Sequence, residues 1–104
     1  MTKITELEKM MIEKIIEDYE KVGVNDTEFH NTFGNDWDAH KNLIITNKKL
    51  RGAFTSLKRK SIIDHYDDPD CFNPIYPTKK LIEVCNENGI EINEKTMNEI
   101  ERYL

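Results

Sequence analysis

The residues best suited to chemistry in this sequence are its cations. Lys41, Lys48, Lys49, Arg51, Lys58, Arg59 and Lys60 fall between positions 41 and 63, where no acidic residue interrupts them, so this segment carries +7. The segments on either side, 1–40 and 64–104, each hold four basic and ten acidic residues and carry −6, leaving the whole chain at −5. An evenly acidic chain repels polyanions, whereas one basic feature on an acidic body can orient an anionic partner. The same lysines also read as a solvated helix face that balances acidic neighbours.

Catalytic and metal-binding patterns are weaker. His30, His40 and His65 are far apart, and neither they nor Cys71 and Cys85 form a zinc-type spacing. Cys71 and His65 are near enough for a nucleophile pair but carry no supporting signature. Asp67-Asp68-Pro69-Asp70 reads as a turn, because it lacks the glycine and the distal glutamate of a calcium loop. Gly23, Gly34, Gly52 and Gly89 are isolated, so no phosphate-cradling glycine loop is present. The sequence therefore predicts a non-enzyme without cofactor or metal.

The basic segment needs a helix to present it. Thr46 or Asn47 can cap its start. Leu50, Phe54 and Leu57 are spaced four and three apart, which predicts one buried stripe on a helix over 47–60. At 100° per residue, Lys48, Arg51, Thr55, Lys58 and Arg59 lie opposite, together with Gly52. A glycine inside a helix costs about 1 kcal/mol relative to alanine. Close approach of the backbone to a ligand is one reason to keep it, and a neutral surface choice is the other.

The remaining elements follow from periodicity. A capping box, Thr5 with Glu8, opens a helix over 5–22 with Leu7, Met11, Ile15 and Tyr19 inward, and Ile12, Ile16 and Val22 widening the stripe. Gly23 stops it. Asp26 is placed to cap a helix over 27–33 that buries Phe29 and Phe33. Asp36 is placed to cap another over 37–44, with Trp37, His40 and Leu43 or Ile44 inward. Ser61 to Tyr66 reads as a strand, and Phe72 to Tyr76 as its return, with Pro74 confined to an edge. A helix follows Pro77 and Thr78, with Leu81, Ile82 and Cys85 inward, and ends at Gly89. Asn93 caps a last helix with Met97, Ile100, and Tyr103 or Leu104 on one stripe. The fold class expected is mainly α with a small β-hairpin, in a single domain over 1–104.

That order, and the run Lys49-Leu50-Arg51-Gly52-Ala53-Phe54-Thr55-Ser56-Leu57-Lys58-Arg59-Lys60-Ser61-Ile62-Ile63, resembles the winged helix-turn-helix family, including MarR-type regulators and small phage-encoded relatives. Ser56, Leu57, Lys60, Ile62 and Ile63 fit the family's passage from recognition helix into wing, and Ile75-Tyr76-Pro77-Thr78 looks like the return strand with its Thr-capped helix. The resemblance covers about residues 5–88. Ser61 stands where the family usually has glycine. The wing tip carries Asp67, Asp68 and Asp70 without a basic residue, so this wing either points away from DNA or serves another partner.

The resemblance implies a DNA-binding protein, a transcriptional regulator or phage accessory factor, with helix 47–60 in the major groove. Asn47, Lys48 and Arg51 are then the candidates for base edges, with Arg51 suited to a bidentate contact with guanine. Lys41, Thr55, Lys58 and Arg59 are candidates for phosphates, and Gly52 admits close approach. The other reading is a small protein-interaction module that uses the same scaffold to bind an acidic protein surface. Helices 5–22 and 93–104 either form a homodimer interface or pack on each other within one chain. No apolar run approaches the ~20 residues of a membrane span. The first residues lack a leader pattern, and the expected compartment is cytoplasmic, with reduced thiols.

Overall fold

The computed structural model describes residues 2–33, 47–65 and 74–104. In chain order these form α1 (Glu6–Val22), a 3-10 turn (Val24–Asp26), α2 (Phe29–Thr32), α3 (Asn47–Arg59), β1 (Ile63–His65), β2 (Ile75–Pro77), α4 (Lys79–Glu87) and α5 (Glu94–Glu101). The chain is mainly helical with one small antiparallel hairpin. The predicted helix over 37–44, with Trp37 and His40, lies outside the described residues, as does the turn from Asp67 to Asp70.

α1 begins as its sequence dictates. The Thr5 hydroxyl accepts the Glu8 N–H, and the Glu8 carboxylate accepts the Thr5 N–H, so two N–H groups that the helix leaves free are satisfied together. Met11, Ile12, Ile15, Ile16 and Tyr19 are buried, and Glu6, Glu13, Glu17 and Glu20 are exposed. Val22, expected on the stripe, is 48% exposed, because the helix runs out there at Gly23. Gly23 takes φ 95° and ψ 158°, outside the left-handed helical region but still at a positive φ that favours glycine.

Asp26 does not cap the next helix. It closes the 3-10 turn, and α2 starts from Glu28 with no side-chain cap. The segment between turn and helix is instead tied to the hairpin. Ile75 N–H donates to the Thr27 carbonyl at 3.0 Å, and Glu28 forms an antiparallel bridge with Pro74. A short third edge thus lies alongside β2. The return strand therefore lies between β1 and the Thr27–Glu28 segment rather than at an edge, with Pro74, which has no N–H to donate, in the Glu28 bridge just before it.

The hairpin register pairs Ile63 with Pro77, Asp64 with Tyr76 and His65 with Ile75. Ile63, Ile75 and Pro77 are buried while Asp64 is exposed, as a pleat with one covered face requires. β1 is shorter than the sequence suggests because Ser61 and Ile62 finish α3. Ile62 N–H reaches back to the Leu57 carbonyl and Ser61 N–H to that of Lys58, both at 3.0 Å, which is a Schellman cap. Ser61 accordingly adopts φ 60°, in the left-handed region that favours glycine. The return strand is described over Ile75–Pro77, one residue beyond the expected end at Tyr76, while its expected start at Phe72 and Asn73 lies outside the described residues.

The two ends of the chain meet. α4 buries Leu81, Val84 and Cys85, and α5, capped by Asn93 through the Thr96 N–H, buries Thr96 and Ile100. α1 packs against α5 within the one chain, burying most of the α1 stripe and Ile100 while Val22, Tyr103 and Leu104 stay exposed. Tyr103 and Leu104 are exposed, because α5 ends at Glu101 before its stripe reaches them. No helix among the described residues is long and apolar enough to cross a membrane.

Candidate nucleic-acid interface

α3 turns Leu50, Phe54 and Leu57 into the core. Each such side chain contributes roughly 1.5–3 kcal/mol on burial, so this stripe fixes the rotation of the helix about its axis. Phe54 stands in an aromatic group with Phe29, Phe33 and His65. Its ring lies edge-on to Phe29 at 4.7 Å and to His65 at 4.9 Å. These contacts join α3 to α2 on one side and to β1 on the other.

With that face committed, the opposite one is left to solvent. Arg51, Gly52, Thr55, Lys58 and Arg59 are exposed, and Arg51, Lys58 and Arg59 form no ion pair among the described residues. A Cβ built at Gly52 would meet nothing within 4 Å, so no neighbour among the described residues demands glycine there. The backbone of Asn47 and Lys48 begins α3; their side chains, and Lys41 altogether, lie outside the described residues.

One member of the basic run is withdrawn from the surface. The Lys60 ammonium contacts both Glu8 carboxylate oxygens, at 2.9 and 3.0 Å, and the Lys3 carbonyl at 3.0 Å. Glu8 is 2% exposed. Burial pushes its carboxyl up, but hydrogen bonds from Lys60, the Thr5 N–H and Ser56, with the Lys60 charge, outweigh burial and hold it below the ordinary glutamate value. Lys60 is therefore a bolt between α1 and the end of α3, not a charge offered to a ligand. The signal was present in the sequence: Glu8 lies four residues before Ile12 on the buried side of α1, and a carboxylate there requires a cation.

Two further tethers escaped the sequence. The buried Tyr19 hydroxyl donates to the Ile75 carbonyl at 2.6 Å, tying the middle of the core to β2. The Thr78 hydroxyl lies 2.7 Å from the Ser61 carbonyl and 2.8 Å from that of Ile62, while it also accepts the Leu81 N–H to cap α4. One threonine thus joins the end of α3 to the start of α4. Together these bonds set the angle between the basic helix and the hairpin beside it.

Among the described residues no group of three His, Cys, Asp or Glu side chains is placed to hold a metal ion. Burial raises the Cys85 thiol to about 12. A thiol so protonated is a poor nucleophile. Comparison with protein-family models, with curated proteins and with solved structures gives no match.

Proposed function

We propose that the chain is a DNA-binding protein of winged helix-turn-helix type that lays α3 in the major groove. The reading rests on one observation above all. α3 is held by an apolar stripe on one side and exposes Arg51, Lys58 and Arg59 on the other, without internal carboxylate partners among the described residues. The element order supports it: a long helix, an isolated bridge at Glu28, a short helix, the basic helix, then a hairpin preceded by the Pro74 partner of that bridge. In this reading Arg51, with Asn47 and Lys48 before it, addresses base edges. Thr55, Lys58, Arg59 and Lys41 address phosphates, and Gly52 lets the backbone approach. A transcriptional regulator or phage accessory factor is the role such a protein would play, as a monomer or a homodimer.

The test is a fluorescence-anisotropy titration of duplex DNA across a salt series. If about four phosphates are engaged, log affinity falls with log salt at a slope of about −4. The pair Arg51→Ala and Lys48→Ala should abolish specific binding. A flat salt response, or unchanged affinity in that variant, would falsify the reading.

A second reading has its own observation. Asp64 is exposed on β1, next to the end of α3, and the outward side of α1 carries Glu13, Glu17 and Glu20. Such a body disfavours phosphate beyond one narrow face and suits α3 to an acidic protein surface. Capture of a host protein by wild type but not by the Arg51→Ala variant, with no DNA binding at low salt, would select it.

A further inference from the structure

A second basic feature lies on the acidic C-terminal segment, away from the run at 41–63. Asn25, Lys95, Asn98, Glu99, Arg102 and Tyr103 line a cleft of about 400 Å³. On α5 and its last turn, Lys95, Asn98 and Arg102 share one stripe at the three- and four-residue spacing of a helix face, while Glu94 and Glu101 fall to the neighbouring side. Lys95, Asn98 and Arg102 are all exposed, and neither cation is ion-paired among the described residues. Two carboxylates, Glu99 and Asp26, act on Tyr103 at this cleft; Glu99 lies between the cations with its Oε1 engaged by the Val24 N–H at 2.6 Å.

An aromatic platform closes the cleft. The Tyr103 ring stacks on Tyr76 of β2, with centroids 5.6 Å apart and planes 28° from parallel. Its hydroxyl is hydrogen-bonded to Asn25 Oδ1. Tyr76 supports one face of the ring and is not part of the cleft lining, whereas Tyr103 borders the cleft and is 38% exposed. The ring is thus held from behind and from its tip, with the rest of it available.

We propose that this cleft binds a nucleotide unit, with its phosphate between Lys95 and Arg102 and its base against Tyr103. Two cations alone would suit any small anion. The supported ring lining the same cleft adds a demand for a flat π surface, and the Asn25 and Asn98 amides supply donors and acceptors for a base edge. The inference does not depend on α3 binding DNA. Free nucleotide and the 5′-phosphorylated end of a single strand present the same chemistry.

The experiment is an amide-resolved NMR titration of the full chain with adenosine 5′-monophosphate, with inorganic phosphate, and with a 5′-phosphorylated oligoadenylate. The monophosphate should saturate shifts at Asn25, Lys95, Asn98 and Arg102, and bind about tenfold more tightly than phosphate alone, as one base stacked on one ring provides. Lys95→Ala and Arg102→Ala should each weaken both ligands by about two- to fivefold, the range of exposed charge pairs. Tyr103→Leu should erase the preference over phosphate while leaving the melting temperature near wild type. Tighter binding of the oligonucleotide than of the monophosphate identifies a strand end as the ligand, and weaker binding identifies a free nucleotide. Absence of saturable shifts at these amides, equal affinity for phosphate and monophosphate, or indifference to all three substitutions overturns the proposal.

Discussion

Lys60 and Glu8, 52 positions apart, make an ion pair that joins two elements, with the ammonium 2.9 Å from Glu8 Oε1. It links the first turn of α1 to the residue that follows α3. Removing one partner strands the other. Glu8→Ala should cost about 2–4 kcal/mol, since it also removes half of the capping box and leaves the Lys60 ammonium only the Lys3 carbonyl. Lys60→Met should cost at least as much, because it leaves the buried Glu8 carboxylate without its cation. Denaturant midpoints of the two single variants and the double variant measure the coupling, and strictly additive losses would remove the pair from the account.

The same pair sets an acid limit. The Glu8 carboxyl is held below its ordinary value of 4.5, so the folded state binds its proton less tightly than the unfolded chain. Its contribution is fully present above about pH 4.5 and is lost as pH falls through the lower folded value. Melting temperature should therefore drop through that acid window in the wild type. Glu8→Gln, with nothing to titrate, should show a shallower drop from a lower starting point.

Ser61 is expected to improve on replacement by glycine. A non-glycine residue at φ 60° carries roughly 1–2 kcal/mol of left-handed strain, and glycine returns about half of that as extra freedom in the unfolded chain. Ser61→Gly should raise stability by about 0.5–1 kcal/mol, and Ser61→Val should lower it. Thermal melts decide the sign, and a destabilised glycine variant would mean that the serine side chain contributes something the cap geometry does not show.

Gly52 separates fold from function. A methyl group there meets nothing among the described residues, so Gly52→Ala should stabilise α3 by about 1 kcal/mol. Under the DNA reading the same methyl group stands at the groove and should weaken binding. A variant that is both more stable and equally able to bind would leave Gly52 as an unremarkable surface residue.

Cys85 should resist alkylation in the native protein. It is buried and its thiol is raised to about 12, so thiolate is scarce at neutral pH. Reaction with iodoacetamide should follow global unfolding and accelerate in denaturant. Fast labelling of Cys85 under native conditions would mean that α4 opens locally.

Much of this architecture was legible in order along the chain. Local signals held wherever one side chain answers one nearby backbone group: the Thr5–Glu8 box, the Asn93 cap, the glycine after α4 and the Leu50–Phe54–Leu57 stripe. What escaped was contact between distant segments. Nothing near Tyr19 announces that its hydroxyl meets Ile75, and Asp26 looked like a helix cap because its neighbours are turn formers. Thr27 and Glu28 give no strand pattern at all; they pair because β2 runs beside them. In the candidate interface, the exposure of Arg51, Lys58 and Arg59 was readable from helix angles; Glu8 on the buried side of α1 called for a cation, but nothing local to either residue named Lys60, 52 positions away, as that cation.

Ile75 is gripped at both of its backbone groups, its N–H by the Thr27 carbonyl and its carbonyl by the Tyr19 hydroxyl. To free this residue, the core helix and the short edge must both let go. Its amide hydrogen should consequently exchange with deuterium only when the entire molecule unravels, so the root of the hairpin, two strands of three residues each, ought to be as slow as the centre of α1.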